Sequence, residues 1–164
     1  MPHQPAGTPA LLALERAGVA YQVHEYDHDP HSDLGFGLEG AAKLGIAAER
    51  IFKTLLAQAD GHLVVGIVPV SGHLNLKALA TAVGAKKATM ADPAVAEKTT
   101  GYVVGGISPF GQKRALPTVI DQSALAYDTI LVSGGRRGLD IELAPADLSA
   151  LTKAVFADIG RPVN

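Results

Sequence analysis

The apolar positions of the chain fall into short blocks separated by glycine, proline and acidic turns, and the spacing within each block predicts its element. Thr8 and Pro9 open a short helix that Gly18 ends. Val19 to Tyr26 alternates apolar and polar residues, the period of a half-buried strand. Residues 27–36 are a polar loop punctuated by Pro30 and Gly35, and Leu38 to Leu44 reads as a helix stopped at Gly45. Ile51–Ala59 and Leu63–Val70 are strands joined by Asp60-Gly61, a hairpin signal. Asn75–Val83 is helical up to Gly84, and Asp92-Pro93 opens a further helix reaching about Lys98. Tyr102-Val103-Val104 reads as a short buried strand. Strands come next near Thr118–Asp121, Thr129–Ser133 and Leu139–Leu143, then a helix from Pro145 to Ala154 and an extended piece at Val155-Phe156.

Hairpin-ordered strands interleaved with short helices predict a single α+β domain with a mixed, largely antiparallel sheet. No repeat or linker divides it. Residues 1–7 are rich in proline and glycine and are expected to fray, the domain runs over 8–160, and 161–164 form a tail.

Composition narrows the function. With 164 residues, 48% of them hydrophobic, the chain is long enough for one sizeable core. A net charge of −2 gives no global field for nucleic acid, so any polyanion must meet a local patch, and DNA is not expected. The absence of cysteine excludes a disulfide scaffold, a protein thiolate and cysteine metal sites. No signal peptide and no apolar run long enough to cross a bilayer is evident, so a soluble cytoplasmic protein is expected.

The stretch richest in chemistry is TTGYVVGGISPFGQKR, Thr99 to Arg114. Gly105-Gly106 permits positive φ or close approach of another molecule, while Pro109 stiffens the loop beyond Ile107 and Ser108. A stiff loop with bare amides beside Lys113 and Arg114 suits an anion or a carbonyl oxygen; a tight structural connection would explain the glycines equally. Lys53 interrupts the apolar strand Ile51–Leu56 on the face of Ile51 and Leu55, pointing either into a pocket or to solvent. Tyr26 and Tyr102 read as core residues with hydroxyls at the rim. Ser133 to Asp140 is a second glycine-rich turn, carrying Arg136 and Arg137.

Three familiar patterns fail on context. His24-Glu25-Tyr26-Asp27-His28 has the letters H-E-x-x-H, but a strand end separates the imidazoles by about 13 Å, too far to share a metal. Gly35 to Gly40 matches G-x-G-x-x-G without the preceding buried strand that a dinucleotide site requires. Gly106 to Lys113 departs from the phosphate-binding P-loop, and Ser108 lacks a nucleophile elbow. The histidines show no clear carboxylate partner and read as surface. No metal and no cofactor is expected.

YDHDP at 26–30, FKTLL at 52–56, LNLKALA at 74–80, TGYVVGGISPFGQK at 100–113 and VSGGRRGLDIEL at 132–143 together resemble the YbaK/EbsC branch of the aminoacyl-tRNA deacylases. These are relatives of the editing insertion domain of prolyl-tRNA synthetase, and the likeness spans roughly Thr8 to Gly160. It implies a barrel-like sheet and a trans-acting enzyme that hydrolyses mischarged Cys-tRNA(Pro), with Cys-tRNA(Cys) as a further substrate and prolyl-tRNA synthetase as a candidate partner. The family's essential lysine falls on Lys53 and its loop glycine on Gly105, with Pro109. Tyr26, Thr54, Tyr102, Gly106, Ile107, Ser108, Ser133 and Asp140 are the implied substrate contacts. Lys113, Arg136 and Arg137 stand beside these motifs as candidates for tRNA phosphates. The implied chemistry uses the substrate's own thiol as nucleophile. Two alternatives remain: an Ala-tRNA(Pro) deacylase that uses water, and a non-catalytic module for tRNA ends or phosphates.

Overall fold

A computed structural model describes residues 7–32 and 34–162. Helix α1 (Pro9–Ala17) starts where Thr8 Oγ1 accepts from the Leu11 amide at 3.2 Å and stops at Gly18, whose φ is 70°. Strand β1 (Gln22–Glu25) is shorter than its alternating block and leads to helix α2 (Phe36–Leu44), which ends at the left-handed Gly45. The hairpin of β2 (Phe52–Ala59) and β3 (His62–Pro69) turns through Asp60 and Gly61, both at positive φ, as the Asp-Gly signal predicts. After β4 (Gly72–Leu74), Asn75 caps α3 (Leu76–Ala82). After β5 (Ala88–Met90), Asp92 caps α4 (Pro93–Thr100). The chain closes with β6 (Thr118–Asp121), β7 (Ile130–Arg136), β8 (Leu139–Leu143), α5 (Pro145–Thr152), β9 (Val155–Ala157) and β10 (Gly160–Pro162).

Among the described residues the strands form three sheets, ordered β5-β2-β3-β6-β9, β1-β8-β7 and β10-β4. Pairing is antiparallel except for β3 with β6 and β6 with β9, so the sheet is mixed and largely antiparallel as expected. An isolated bridge between Ile51 and Leu131 joins the two larger sheets, which curl together without closing a barrel.

Alternation along β2 and β3 builds two apolar layers. Phe52, Leu56, Val65 and Ile67 face Ile130, Val132, Leu139 and Ile141 of the β7–β8 hairpin, with Leu14 of α1 filling the same core. Ala57, Val64 and Val68 face Leu79 of α3 and Ile159. The central sheet is thereby covered on both sides.

Tyr102–Val104, expected as a strand, is a loop. Helix α4 continues to Thr100 and ends at the left-handed Gly101; Glu97 then accepts from the Val104 amide at 2.7 Å. The Gly106 amide closes a turn onto the Val103 carbonyl at 2.8 Å. Local carboxylate and turn bonds satisfy amides that a ladder would otherwise take, and Val103 is exposed. The frayed N-terminus expected over 1–7 lies outside the described residues apart from Gly7. Of the expected tail, Arg161 and Pro162 belong to β10, paired with β4, while 163–164 lie outside the described residues.

Candidate functional site

Strand β5 pairs with β2 only at Ala57 to Ala59, which leaves the start of β2 open along one edge. A cavity of about 340 Å³ occupies that edge. Its wall is the beginning of β2, the N-terminal turn of α2, the loop at Val104–Ile107 and the segment from Met90 to Ala96. Tyr26 enters from the end of β1, and Ser133 and Asp140 from the β7–β8 hairpin. The lining is largely apolar, and a few polar groups converge on it, the composition of a ligand site.

Lys53 shares its face with Leu55, as alternation requires, and borders the cavity. Its Nζ donates to the Gly72 carbonyl at 2.9 Å, and burial lowers its pKa. Gly72 is itself fixed by β10, since a β-carbon there would lie 2.3 Å from the Arg161 carbonyl oxygen. The neighbouring Thr54 is 7% exposed, and its Oγ1 is a buried polar atom without a hydrogen-bond partner among the described residues. A buried hydroxyl without a partner is uncommon in a folded protein, and this one lies in a residue that lines the cavity.

Asp140 pairs across the ladders with Ser133 on β7 and His24 on β1. Burial pushes its carboxyl up to about 6, against the opposing influence of His24. Burial, then the Asp140 and Glu39 carboxylates, push the Tyr26 hydroxyl up to about 12, so it stays protonated as a donor. Ser133 Oγ accepts from the Gly135 amide at 3.1 Å.

The glycine loop reaches the cavity through Gly105 and Ile107. Gly105 has φ 88°, and a β-carbon there would lie 2.5 Å from the Phe36 ring, so glycine is required on both counts. The Val104 and Gly106 amides are engaged within the loop, whereas those of Gly105 and Ile107 donate to no described residue.

The remaining candidates do not line the cavity. Tyr102 is buried, its hydroxyl donating to the Phe110 carbonyl at 2.6 Å, which braces the loop from below. Ser108 is fully buried and its Oγ accepts from the Phe110 amide at 3.2 Å. Pro109 is buried beside it, and Gly106 presses on the Arg136–Arg137 backbone, where a β-carbon would sit 2.9 Å away. Arg136 pairs with Glu25 at 2.8 Å. Arg137 Nε donates to the Val104 carbonyl at 2.9 Å, and its guanidinium lies 4.4 Å from the centre of the Phe36 ring. Lys113 is exposed and has no ion pair among the described residues.

Two histidines depart from the surface reading. His24 Nε2 lies 2.8 Å from Glu142 Oε1, and His28 Nδ1 lies 2.7 Å from Glu39 Oε1. Their partners stand 118 and 11 residues away, a separation that only the fold brings together. The H-E-x-x-H letters thus place two imidazoles on different carboxylates. The Gly35–Gly40 pattern serves helix seating: Gly37 lies against Val70 and Gly40 against the Tyr26 ring. Phe36 and Glu39 occupy only the variable positions of that pattern and Met90 belongs to no motif, so none was singled out by the sequence and each gains its place through tertiary contact.

A family model described as the aminoacyl-tRNA editing domain matches residues 38–151. EbsC of Enterococcus faecalis, named as a proposed Cys-tRNA(Pro)/Cys-tRNA(Cys) deacylase, is 40% identical over 93% of this chain and 92% of its own. A proline–tRNA ligase of Geobacter metallireducens is 31% identical over 74% of this chain, a match that takes up 21% of the ligase. A crystal structure described as a proposed trans-editing enzyme for prolyl tRNA synthetase superposes with a TM-score of 0.83 at 25% identity, over 96% of this chain and 99% of that one.

Proposed function

Because the chain belongs to the aminoacyl-tRNA editing domain family, we propose that it is a trans-acting deacylase that clears mischarged Cys-tRNA(Pro), and Cys-tRNA(Cys) as a second substrate. The observation that carries the reading is the cavity itself: an apolar cleft of about 340 Å³ into which Lys53, Thr54 and the Gly105 loop converge. It has room for a small aminoacyl group with part of the terminal ribose. A cytoplasmic site of action and prolyl-tRNA synthetase as partner accord with this role.

The chain offers the ester no obvious nucleophile. It has no cysteine, Ser108 is buried, and Ser133 has no histidine hydrogen-bonded to it among the described residues. Attack by the substrate thiol on its own ester carbonyl needs none. The carbon–sulfur bond forms, the bond to the ribose oxygen breaks, and the thiol proton ends on the ribose hydroxyl. A thiolactone leaves and water opens it to cysteine. Holding thiol and carbonyl in near-attack geometry removes the entropic cost of bringing them together and so offsets part of the strain of closing the four-membered thiolactone ring. The Gly105 and Ile107 amides face the developing oxyanion, where one donor is worth roughly 3 kcal/mol in other enzymes. Lys53 holds the terminal adenosine or its phosphate as a point charge, steered by Gly72.

One observation favours a second reading. A carboxyl raised to about 6 at Asp140 is ionised near neutrality yet basic enough to take a proton from water. Water activated there would serve Ala-tRNA(Pro). A panel of charged tRNAs separates the two. Thiol attack is expected to cleave Cys-tRNA and leave Ser-tRNA and Ala-tRNA nearly intact, with a trappable thiolactone; equal cleavage of Ala-tRNA would select the water reading. A chain inert on every charged tRNA would leave only the binding module.

A further inference from the structure

Glu39 is 2% exposed in the first turn of α2, and the chemistry above makes no use of it. A carboxylate at that depth persists only where its oxygens are occupied. Its non-helical partners lie on one segment: His28 Nδ1 stands 2.7 Å from Oε1, and the Asp29 amide donates to Oε2 at 2.8 Å. Lys43, one turn on, stands 3.7 Å from Oε2 and donates to the Asp27 carbonyl. The start of α2 has no side-chain cap, because Gly35 occupies that position. These bonds hold the helix start where a cap would otherwise do so.

The same two segments supply the cavity mouth, through Tyr26 on one and Phe36 on the other. The His28 ring lies against the Phe36 ring with centroids 5.6 Å apart, and Gly40 leaves room for the Tyr26 ring. We propose that Glu39 and His28 form a clamp that sets where Phe36 and Tyr26 stand at the mouth, making both of them positioning residues for substrate binding. This rests on the reading of the cavity as the deacylation site. Neither residue lines the cavity, so the clamp acts on binding through Phe36 and Tyr26 and leaves the reacting bonds alone.

The test uses His28→Ala, His28→Asn and Glu39→Gln in the full chain, read by steady-state deacylation of Cys-tRNA and by amide hydrogen exchange over 36–44. Loss of a charge-assisted bond in His28→Ala is expected to raise KM about tenfold with kcat changed less than about threefold, and to speed α2 exchange about tenfold. His28→Asn, whose amide nitrogen falls where Nδ1 stood, is expected to restore most of both. A fall in kcat at constant KM, or faster exchange with KM unmoved, would overturn the positioning role. Should wild type cleave no Cys-tRNA, the deacylase reading fails first, and α2 exchange at the wild-type rate in His28→Ala would then sink the clamp by itself. His28 is partly exposed, so its variants carry the test if Glu39→Gln does not fold.

Discussion

Strand β2 passes through two environments. From Ala57 to Ala59 it has a neighbour on each side, β3 and β5, and its side chains contribute to a dry layer under α3. From Phe52 to Leu55 only β3 pairs with it, and the other edge faces the cavity. The paired end buries Ala57 and Ala59 and turns Gln58 to solvent, the alternation of a sheet with one covered face. The open end departs from ordinary sheet burial: it has a half-buried lysine, an orphaned threonine hydroxyl and, across the cavity, a carboxyl held above its ordinary range. Departures of this kind concentrate where a protein binds rather than where it is merely held together.

The sharpest way to break that contrast is to set a truncation on β3, which has β2 on one side and β6 on the other at Ile67, against one at the open edge of β2. Ile67 is fully buried, and Ile67→Ala is expected to cost about 3 kcal/mol and lower Tm by roughly 6–12 °C. Lys53→Ala is expected to keep Tm within about 2 °C of wild type and to lower deacylation about 100-fold or more, the scale of a misplaced substrate. Thermal melts with turnover assays decide it, and near-wild-type turnover in Lys53→Ala would remove Lys53 from the site.

Thr54 allows a finer cut. Thr54→Val keeps the shape and deletes the buried hydroxyl that has no partner. It is expected to stabilise the free protein by about 1 kcal/mol, some 2–4 °C in Tm, while raising KM for aminoacyl-tRNA. At a position fully paired in the fold the same change would destabilise. A drop in Tm would mean that the hydroxyl already has a partner in solution.

The elements set by local chemistry were legible along the chain. Thr8-Pro9 with Gly18, Asp60-Gly61 and Asp92-Pro93 carry their own caps and turns within a few residues, and each ended up where its chemistry put it. β4, β5 and β10 did not show, because three residues are too few for alternation and only a distant partner makes them strands, whereas the equally short β9 was marked by its β-prone Val155-Phe156. Tyr102–Val104 misled for the related reason that a three-residue apolar run fits a strand and a loop folded onto the core equally well. In the site, Lys53 announced itself as a charge among apolar neighbours, whereas Thr54, Ser133 and Asp140 were approached only through resemblance to a family. Glu39 with His28 and Glu142 with His24 stayed hidden, since each pair exists only once the fold brings its members together.

Asp140 extends the comparison into pH. Burial lifts its carboxyl above the unfolded value, to about 6. The fold therefore favours the proton-bearing form: that contribution is fully present below about pH 4 and is lost as pH rises through 6. Asp140→Asn removes the ionisation. The variant and wild type are expected to melt nearly alike at pH 4, and the variant to be more stable by up to about 3 kcal/mol at pH 7. Melts across this range check it, and a difference that shrank with rising pH would contradict burial as the cause.

The smallest effects belong at the rim, where side chains contribute little to either fold or cavity. Arg136 and Glu25 are 45% and 44% exposed, and an ion pair so open to water contributes roughly 0–1 kcal/mol. Arg136→Ala is accordingly expected to move Tm by less than about 3 °C. Its consequence for tRNA depends on whether the guanidinium leaves Glu25 for a phosphate. If it does, the slope of log affinity against log salt falls by about one and binding weakens alike for every tRNA sequence. Lys113→Ala is expected to lower that slope by a similar amount without touching Tm, because Lys113 has no ion pair to lose among the described residues. Arg137 stands apart: it is tied to the Val104 carbonyl and laid over Phe36, so Arg137→Ala is expected to disturb the cavity mouth and raise KM at every salt concentration. A salt slope unchanged in Arg136→Ala and Lys113→Ala, beside a raised KM in Arg137→Ala, would move tRNA contact away from this edge and leave Arg137 as a strut of the cavity.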